Sequence, residues 1–105
     1  MNFKELGANL GLEEDEYREL IELFVATGSV DFEKIQAAMA DNDADQVMRS
    51  AHTIKGAAGN LGLLKISDVA KIIEENAGNN QLGDLDGAIS QLKKHFEDIN
   101  AFVND

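Results

Sequence analysis

The chain has 105 residues, of which 44% are hydrophobic, so it can form one small folded domain and is not typical of a disordered protein. Its formal net charge of −11 at pH 7 argues against binding to nucleic acid or to an anionic membrane surface, because both need basic residues that neutralise phosphate groups. No apolar stretch approaches the roughly 20 residues that cross a bilayer, and cysteine is absent. We therefore expect a cytoplasmic domain without membrane insertion, stabilised by packing alone.

Apolar residues recur with a period near 3.6 along almost the whole chain, which predicts an all-α fold. The first three predicted helices cover about residues 3–10, 13–27 and 31–40, with breaks at Gly28-Ser29 and Asp41-Asn42. Acids crowd the start of the second helix, and Asp43 with Gln46 predicts a capping box at the start of the fourth. The last three cover about 43–60, 64–77 and 84 to near the C-terminus, with turns at Gly62 and Gly78-Asn79-Asn80 and an N-cap at Asp84.

Short connections between the longer predicted helices imply that neighbouring helices are antiparallel. We therefore expect an up-and-down four-helix bundle with one or two additional N-terminal helices packed across one side or end. Residues 1–105 are expected to form a single domain, and the core of the bundle is expected at about residues 29–104. The sequence contains no internal repeat, low-complexity segment or sign of a second domain.

The charge is unevenly distributed along the chain. Residues 46–73 contain four basic residues and one acid, whereas the remainder contains five basic residues and nineteen acids. A basic segment in an acidic protein suggests a local site for an anion or an acidic partner, and chance clustering explains it equally well.

The fourth predicted helix carries its histidine outside its apolar stripe. That stripe consists of Ala44, Val47, Met48, Ala51, Ile54, Ala58 and Leu61. His52 lies about 120° from the centre of the stripe, so we expect its ring to be at least partly exposed. Gly56 and Gly59 share this side, although glycine costs a helix about 0.5–1 kcal/mol relative to alanine. Room for a neighbouring helix is a reasonable explanation for Gly59. For Gly56, which points away from the core, we favour close approach of another molecule to the ring.

Charged side chains surround His52. Lys55 can extend its ammonium group into water or bring it near a group attached to the imidazole, and Arg49 adds positive potential on the same side. Neutral histidine is a nucleophile near physiological pH and cations stabilise a phosphoryl group, so this setting suits phosphorylation of the ring. Glu74, at about the same height on the next helix, could hold one ring nitrogen by a hydrogen bond. A solvated glutamate explains Glu74 equally well.

The segment 51–62, AHTIKGAAGNLG, closely resembles the signature of histidine-containing phosphotransfer (HPt) domains. The match includes the His-x-x-Lys-Gly core, the alanine before it, the small residues at 57 and 58 and the Leu-Gly ending. The likeness also extends over the whole chain in the order and length of the helices. It implies that His52 carries a phosphoryl group in a two-component relay. The group would come from a receiver-domain aspartate or a kinase domain and pass to a receiver.

The resemblance also implies roles for the residues around the histidine. Family members place a Gln or Glu of the following helix against the ring, and Glu74 has the matching spacing. Lys55 is associated with the phosphoryl group, and Gly56 keeps space for the receiver. The expected partner-binding residues are Arg49, Gly59 and Lys71. The expected partners are response-regulator receiver domains, a hybrid sensor histidine kinase or both, and the chain is expected to be a monomer. The Mg²⁺ needed for transfer belongs to the receiver, so we expect no metal or cofactor on this chain.

Other functions agree less well with the sequence. The chain has no glycine-rich phosphate loop before a helix and no nucleotide-binding α/β pattern, so we expect a phosphoryl carrier and not an enzyme with its own kinase activity. A passive helical interaction module remains an alternative, with Gly56 and Gly59 only letting a partner helix dock. A metal site would need several His or carboxylate ligands on facing helices. Because the chain has only two histidines, we discount a metal site. The second of the two histidines, His95, is expected at the boundary of the core beside Phe96 and Phe102.

Overall fold

The computed structural model describes residues 2–104, which form five helices and, within that range, no strand. The helices are α1 (Phe3–Asn9), α2 (Glu14–Ala40), α3 (Ala44–Asn60), α4 (Leu64–Gly78) and α5 (Asp86–Val103). α2 and α4 each contact both α3 and α5, and α1 packs on α2. The 27 residues of α2 span about 40 Å, which accounts for the 41 Å long axis of the molecule. The predicted all-α four-helix bundle is confirmed, with one additional N-terminal helix.

The break predicted at Gly28-Ser29 is wrong, because α2 continues through it as a single helix. Gly28 is buried against α5, where a β-carbon would lie 2.6 Å from Cε1 of Phe96. The glycine therefore makes room for an aromatic ring and does not form a turn. The Ser29 hydroxyl donates to the Val25 carbonyl within the helix, at 2.6 Å. In the first half of α2, the buried side chains are those of Tyr17, Ile21 and Phe24. The bundle core thus extends well before residue 29, where it was predicted to begin.

The turns at the ends of α2, α3 and α4 lie where the sequence predicted them. Each contains one residue with positive φ, namely Asn42 (54°), Gly62 (78°) and Asn80 (58°). After α3, the Leu63 amide donates to the Ala58 carbonyl at 2.9 Å, and the Gly62 amide donates to the Gly59 carbonyl at 3.2 Å. This is the hydrogen-bond pattern of a Schellman motif. Because Leu63 is also buried, the turn holds α4 antiparallel against α3.

The starts of α2 and α3 are capped by acidic side chains. Glu13 and Glu16 form a capping box at α2, in which the Glu13 amide donates to the Glu16 carboxylate at 3.0 Å. At α3, Asp43 accepts a hydrogen bond from the Gln46 amide at 3.1 Å, as predicted. The Gln46 side chain donates to the Ser50 hydroxyl at 2.8 Å, so it does not complete a capping box. Ser50 is buried, and Gln46 satisfies its hydroxyl group.

The start of α5 differs from the prediction by one residue. The N-cap is Leu85 and not Asp84, and no side chain caps this helix. Leu85 is completely buried, and its carbonyl accepts the Ile89 amide at 2.9 Å. Burial of an apolar side chain therefore sets the start of α5, in place of the polar cap that the sequence suggested.

Tyr17 connects the N-terminal part of the molecule to the turn between α3 and α4. Its hydroxyl donates a hydrogen bond to the Leu61 carbonyl, just after the last residue of α3. The Tyr17 ring packs edge to face with Phe3 of α1, with 5.8 Å between the ring centroids. Burial raises the pKa of Tyr17, so the hydroxyl keeps the proton that it donates. α1 and α2 thus hold the turn end of the α3–α4 pair in place.

Candidate functional site

The antiparallel α3–α4 pair brings three of the predicted site residues into contact. Nδ1 of His52 lies 2.5 Å from Oε2 of Glu74, and Nζ of Lys55 lies 2.5 Å from Oε1 of the same carboxylate. The His52 side chain is 67% exposed, whereas those of Lys55 and Glu74 are 30% and 18% exposed. A largely covered carboxylate at the seam between two helices therefore holds an exposed imidazole and an ammonium group at the same time.

The spacing of residues along the two helices explains this contact. The buried residues of α3 and α4 include four alanines, Ala51, Ala58, Ala70 and Ala77, and such small side chains let helix backbones approach closely. His52 and Lys55 are three residues apart and share one side of α3. Counted from the turn at Gly62, Glu74 lies near the height of His52 and about 7.5 Å farther along the helix axis than Lys55. The long side chain of Lys55 spans this distance.

The charge on Glu74 determines which nitrogen of His52 carries the proton. The hydrogen bond from Lys55 lowers the pKa of Glu74 below its ordinary value; partial burial opposes this shift, and the contact with His52 adds to it. An ionised carboxylate only accepts hydrogen bonds, so Nδ1 of His52 must be the donor. In the neutral ring the free lone pair is then on Nε2, and this is the nitrogen that can attack an electrophile.

The lowered pKa of Glu74 has a consequence for stability against acid. A carboxyl group whose pKa is lower in the folded state stabilises the fold above its unfolded pKa, and this contribution is lost as the pH falls through the folded pKa. We expect Glu74→Gln to reduce the free energy of unfolding by about 1 kcal/mol at pH 5. The difference from the unmodified protein should shrink as the pH falls from about 5 to about 3. Urea unfolding at a series of pH values measures it.

Glu75→Gln is the matched control for that experiment. The Glu75 side chain is 60% exposed, and its carboxylate lies 3.9 Å from Lys71, so its loss should change stability little at any pH in this range. A Glu74→Gln difference that stays constant from pH 5 to pH 3 would contradict the pairing of Glu74 with Lys55.

The two glycines of α3 differ in their surroundings. A β-carbon on Gly56 would have no neighbouring atom within 4 Å, so no contact within residues 2–104 requires a glycine there. A β-carbon on Gly59 would lie 3.5 Å from Oγ of Ser67 on α4, an ordinary contact distance. Gly59 therefore faces α4, but a β-carbon would fit there, so room for the neighbouring helix does not require a glycine at this position. Gly56 borders open space beside the histidine.

The basic segment 46–73 is less positive in the folded protein than its sequence suggests. Three of its four basic side chains pair with acids just outside the segment: Arg49 with Asp45 at 2.8 Å, Lys71 with Glu75 at 3.9 Å and Lys55 with Glu74 at 2.5 Å. Because the side chains of Arg49 and Lys71 are more than 60% exposed, these two pairs are weak and a partner can break them. Neither side chain is engaged with His52, and their part in partner binding stays a prediction.

Sequence reasoning missed one polar contact near the site. The hydroxyl of Ser67 on α4 donates to the backbone carbonyl of Lys55 on α3 at 3.2 Å. Ser67 precedes Glu74 by seven residues, which is two helical turns, so both side chains lie on the same side of α4. That spacing was visible in the sequence, but only the distance between the helices shows that the hydroxyl reaches α3.

The second histidine lies apart from the site. His95 is partly exposed on α5 and borders an open groove together with Lys65 and Asp98, at the boundary of the core as predicted. In the part of the chain that the structure describes, no three His, Asp or Glu side chains are grouped closely enough to hold a metal ion. None of the helices in residues 2–104 is both long and apolar enough to span a bilayer.

The chain matches a known protein family and is similar to known proteins in sequence and in structure. Residues 19–102 match the family described as Hpt domain. The chain is 33% identical over 91 residues, 75% of its length, to the phosphorelay intermediate protein YPD1 of Candida albicans. The match covers 50% of that protein, so the chain spans about half the length of this relative. The crystal structure of histidine-containing phosphotransfer protein B (HptB) from Pseudomonas aeruginosa PAO1 is similar with a TM-score of 0.85 and 25% identity, covering 99% of the chain and 90% of that protein.

Proposed function

The chain belongs to the Hpt domain family, which matches it over residues 19–102, and we propose that it carries a phosphoryl group on Nε2 of His52 in a two-component phosphorelay. The observation that carries the proposal is the exposed imidazole of the family motif, held at Nδ1 by Glu74. Proteins of this family in phosphorelays are phosphoryl carriers and not kinases. The names of the two similar proteins, a phosphorelay intermediate and a histidine-containing phosphotransfer protein, support the same function.

The geometry supports a direct transfer to Nε2. Its lone pair attacks the phosphorus atom of a receiver's aspartyl phosphate; the new P–N bond forms as the P–O bond to the aspartate breaks, and the aspartate leaves as a free carboxylate. The ring becomes positively charged while Nδ1 keeps its proton, and the Glu74 carboxylate, 2.5 Å away, stabilises that charge. The ammonium group of Lys55, on the other oxygen of Glu74, adds positive charge near the ring and would favour a negatively charged phosphoryl group there.

The proposal extends to the partners and to the state of the chain. Response-regulator receiver domains, a hybrid sensor histidine kinase or both would supply and accept the phosphoryl group. The Mg²⁺ for transfer would be bound by the receiver and not by this chain. We propose that residues 1–105 act as a single monomeric domain without catalytic turnover of their own, and a cytoplasmic location stays a prediction from the sequence.

Incubation with a receiver domain carrying ³²P on its aspartate tests the proposal. We expect label to appear on this protein in a form that is labile in acid and stable in alkali, as a phosphohistidine is. Tight binding to the receiver without transfer of label would instead support a passive interaction module. Alkali-labile label would point to a carboxylate as the acceptor and would also contradict the proposal.

A further inference from the structure

Lys55 is hydrogen-bonded to α4 through both its backbone and the end of its side chain. Its backbone carbonyl accepts a hydrogen bond from Oγ of Ser67 at 3.2 Å, and its ammonium group donates to Glu74 at 2.5 Å. The two α4 residues are two turns apart, or about 10.5 Å along the helix. Lys55 of α3 therefore contacts α4 both at Ser67 and at Glu74, whose carboxylate also binds His52.

Apolar packing and hydrogen bonds both bear on the height of α4 against α3. Four of the ten buried residues of the two helices are alanines, whose small side chains restrict sliding of one helix along the other less than larger side chains do. A hydrogen bond is directional and fails when its atoms separate by much more than about 3.5 Å. Within residues 2–104, one hydrogen bond joins an α4 side chain to the backbone of α3, and Ser67 donates it.

We propose that Ser67 is a positioning residue for the histidine site. Its bond to the Lys55 carbonyl sets the height of α4, so that the Glu74 carboxylate reaches Nδ1 of His52 and Nζ of Lys55 together. The importance of this position for phosphoryl transfer rests on the proposed function, whereas its effect on the His52 ring does not.

Gly59 lies beside the same contact. In a helix, the Lys55 carbonyl also accepts the backbone amide of Gly59, four residues on, and a carbonyl oxygen has a second lone pair for another donor. The Ser67 hydroxyl uses this second lone pair, at 3.2 Å. A β-carbon there would lie 3.5 Å from Oγ of Ser67, so an alanine would touch the hydroxyl without displacing it.

The test compares Ser67→Ala with Ser67→Thr, which keeps the hydroxyl, and with Ser90→Ala, which removes an exposed serine from α5. The ¹⁵N chemical shifts of the His52 ring report which nitrogen carries the proton. In the unmodified protein at neutral pH we expect Nδ1 to be protonated. Ser67→Ala should give a mixture of the two tautomers and slow transfer from a phosphorylated receiver about tenfold. Ser67→Thr and Ser90→Ala should behave like the unmodified protein.

Each outcome has a distinct meaning. An unchanged His52 tautomer in Ser67→Ala overturns the inference, even if the variant is less stable, because Ser67 would then be only structural. Failure of Ser67→Thr to restore the tautomer also overturns it, since the hydroxyl would not be the cause. If the tautomers respond as expected and the unmodified protein accepts no phosphoryl group, the proposed function fails and the positioning role stands.

Discussion

We expect His52→Gln to lose all acceptance of a phosphoryl group from a phosphorylated receiver while the protein remains folded. A glutamine amide nitrogen has no lone pair free for attack on phosphorus, so the step that forms the P–N bond cannot take place. The His52 side chain is 67% exposed, and exposed substitutions outside special features change stability by about 0.5 kcal/mol or less. Labelling with ³²P and thermal unfolding by circular dichroism measure the two effects.

His95→Gln is the control, because it removes the other histidine of the chain from a different helix. That variant should accept the label at the rate of the unmodified protein. Retained acid-labile label on His52→Gln, together with its loss from His95→Gln, would move the phosphorylated residue to α5. Loss of label from both variants with intact helicity would mean that neither histidine acts as proposed.

Gly56→Gln should have opposite effects on folding and on transfer. In an exposed helix position glutamine is favoured over glycine by about 0.5 kcal/mol, so the free energy of unfolding should rise slightly. The new side chain would project into the open space beside His52, where a β-carbon has no neighbour within 4 Å. In a packed complex such an insertion costs about 1–3 kcal/mol, so the Kd for a receiver domain should rise about tenfold or more.

Gly87→Gln is the matched control for this substitution. Gly87 is also a helical glycine at which an added β-carbon would have no neighbour within 4 Å, but it lies on α5. Isothermal titration with a receiver domain should give an unchanged Kd for Gly87→Gln. Normal binding and transfer by Gly56→Gln, or a large loss of its stability, would contradict the role of Gly56 in access to the histidine.

Most of the fold could be predicted from local patterns. The apolar period of 3.6 predicted helices because it creates one buried stripe per helix. Asn42, Gly62 and Asn80 adopt positive φ at three predicted turns, since glycine and asparagine tolerate that conformation. The exception was Gly28, where the same residue type serves packing. A glycine that makes room for a distant ring and one that ends a helix look alike in the sequence, because Phe96 is 68 positions away along the chain.

For the site, the sequence by itself determined that His52 lies off the apolar stripe beside an open glycine, because both features depend only on positions around a single helix. The tertiary structure decided how the charged groups pair. It places one Glu74 carboxylate between His52 and Lys55, and it turns most of the apparent basic patch into ion pairs. It also shows that Ser67 reaches the backbone of α3. Hydrogen bonds and ion pairs depend on distances of a few ångströms between helices, and the spacing of residues along one helix does not specify those distances.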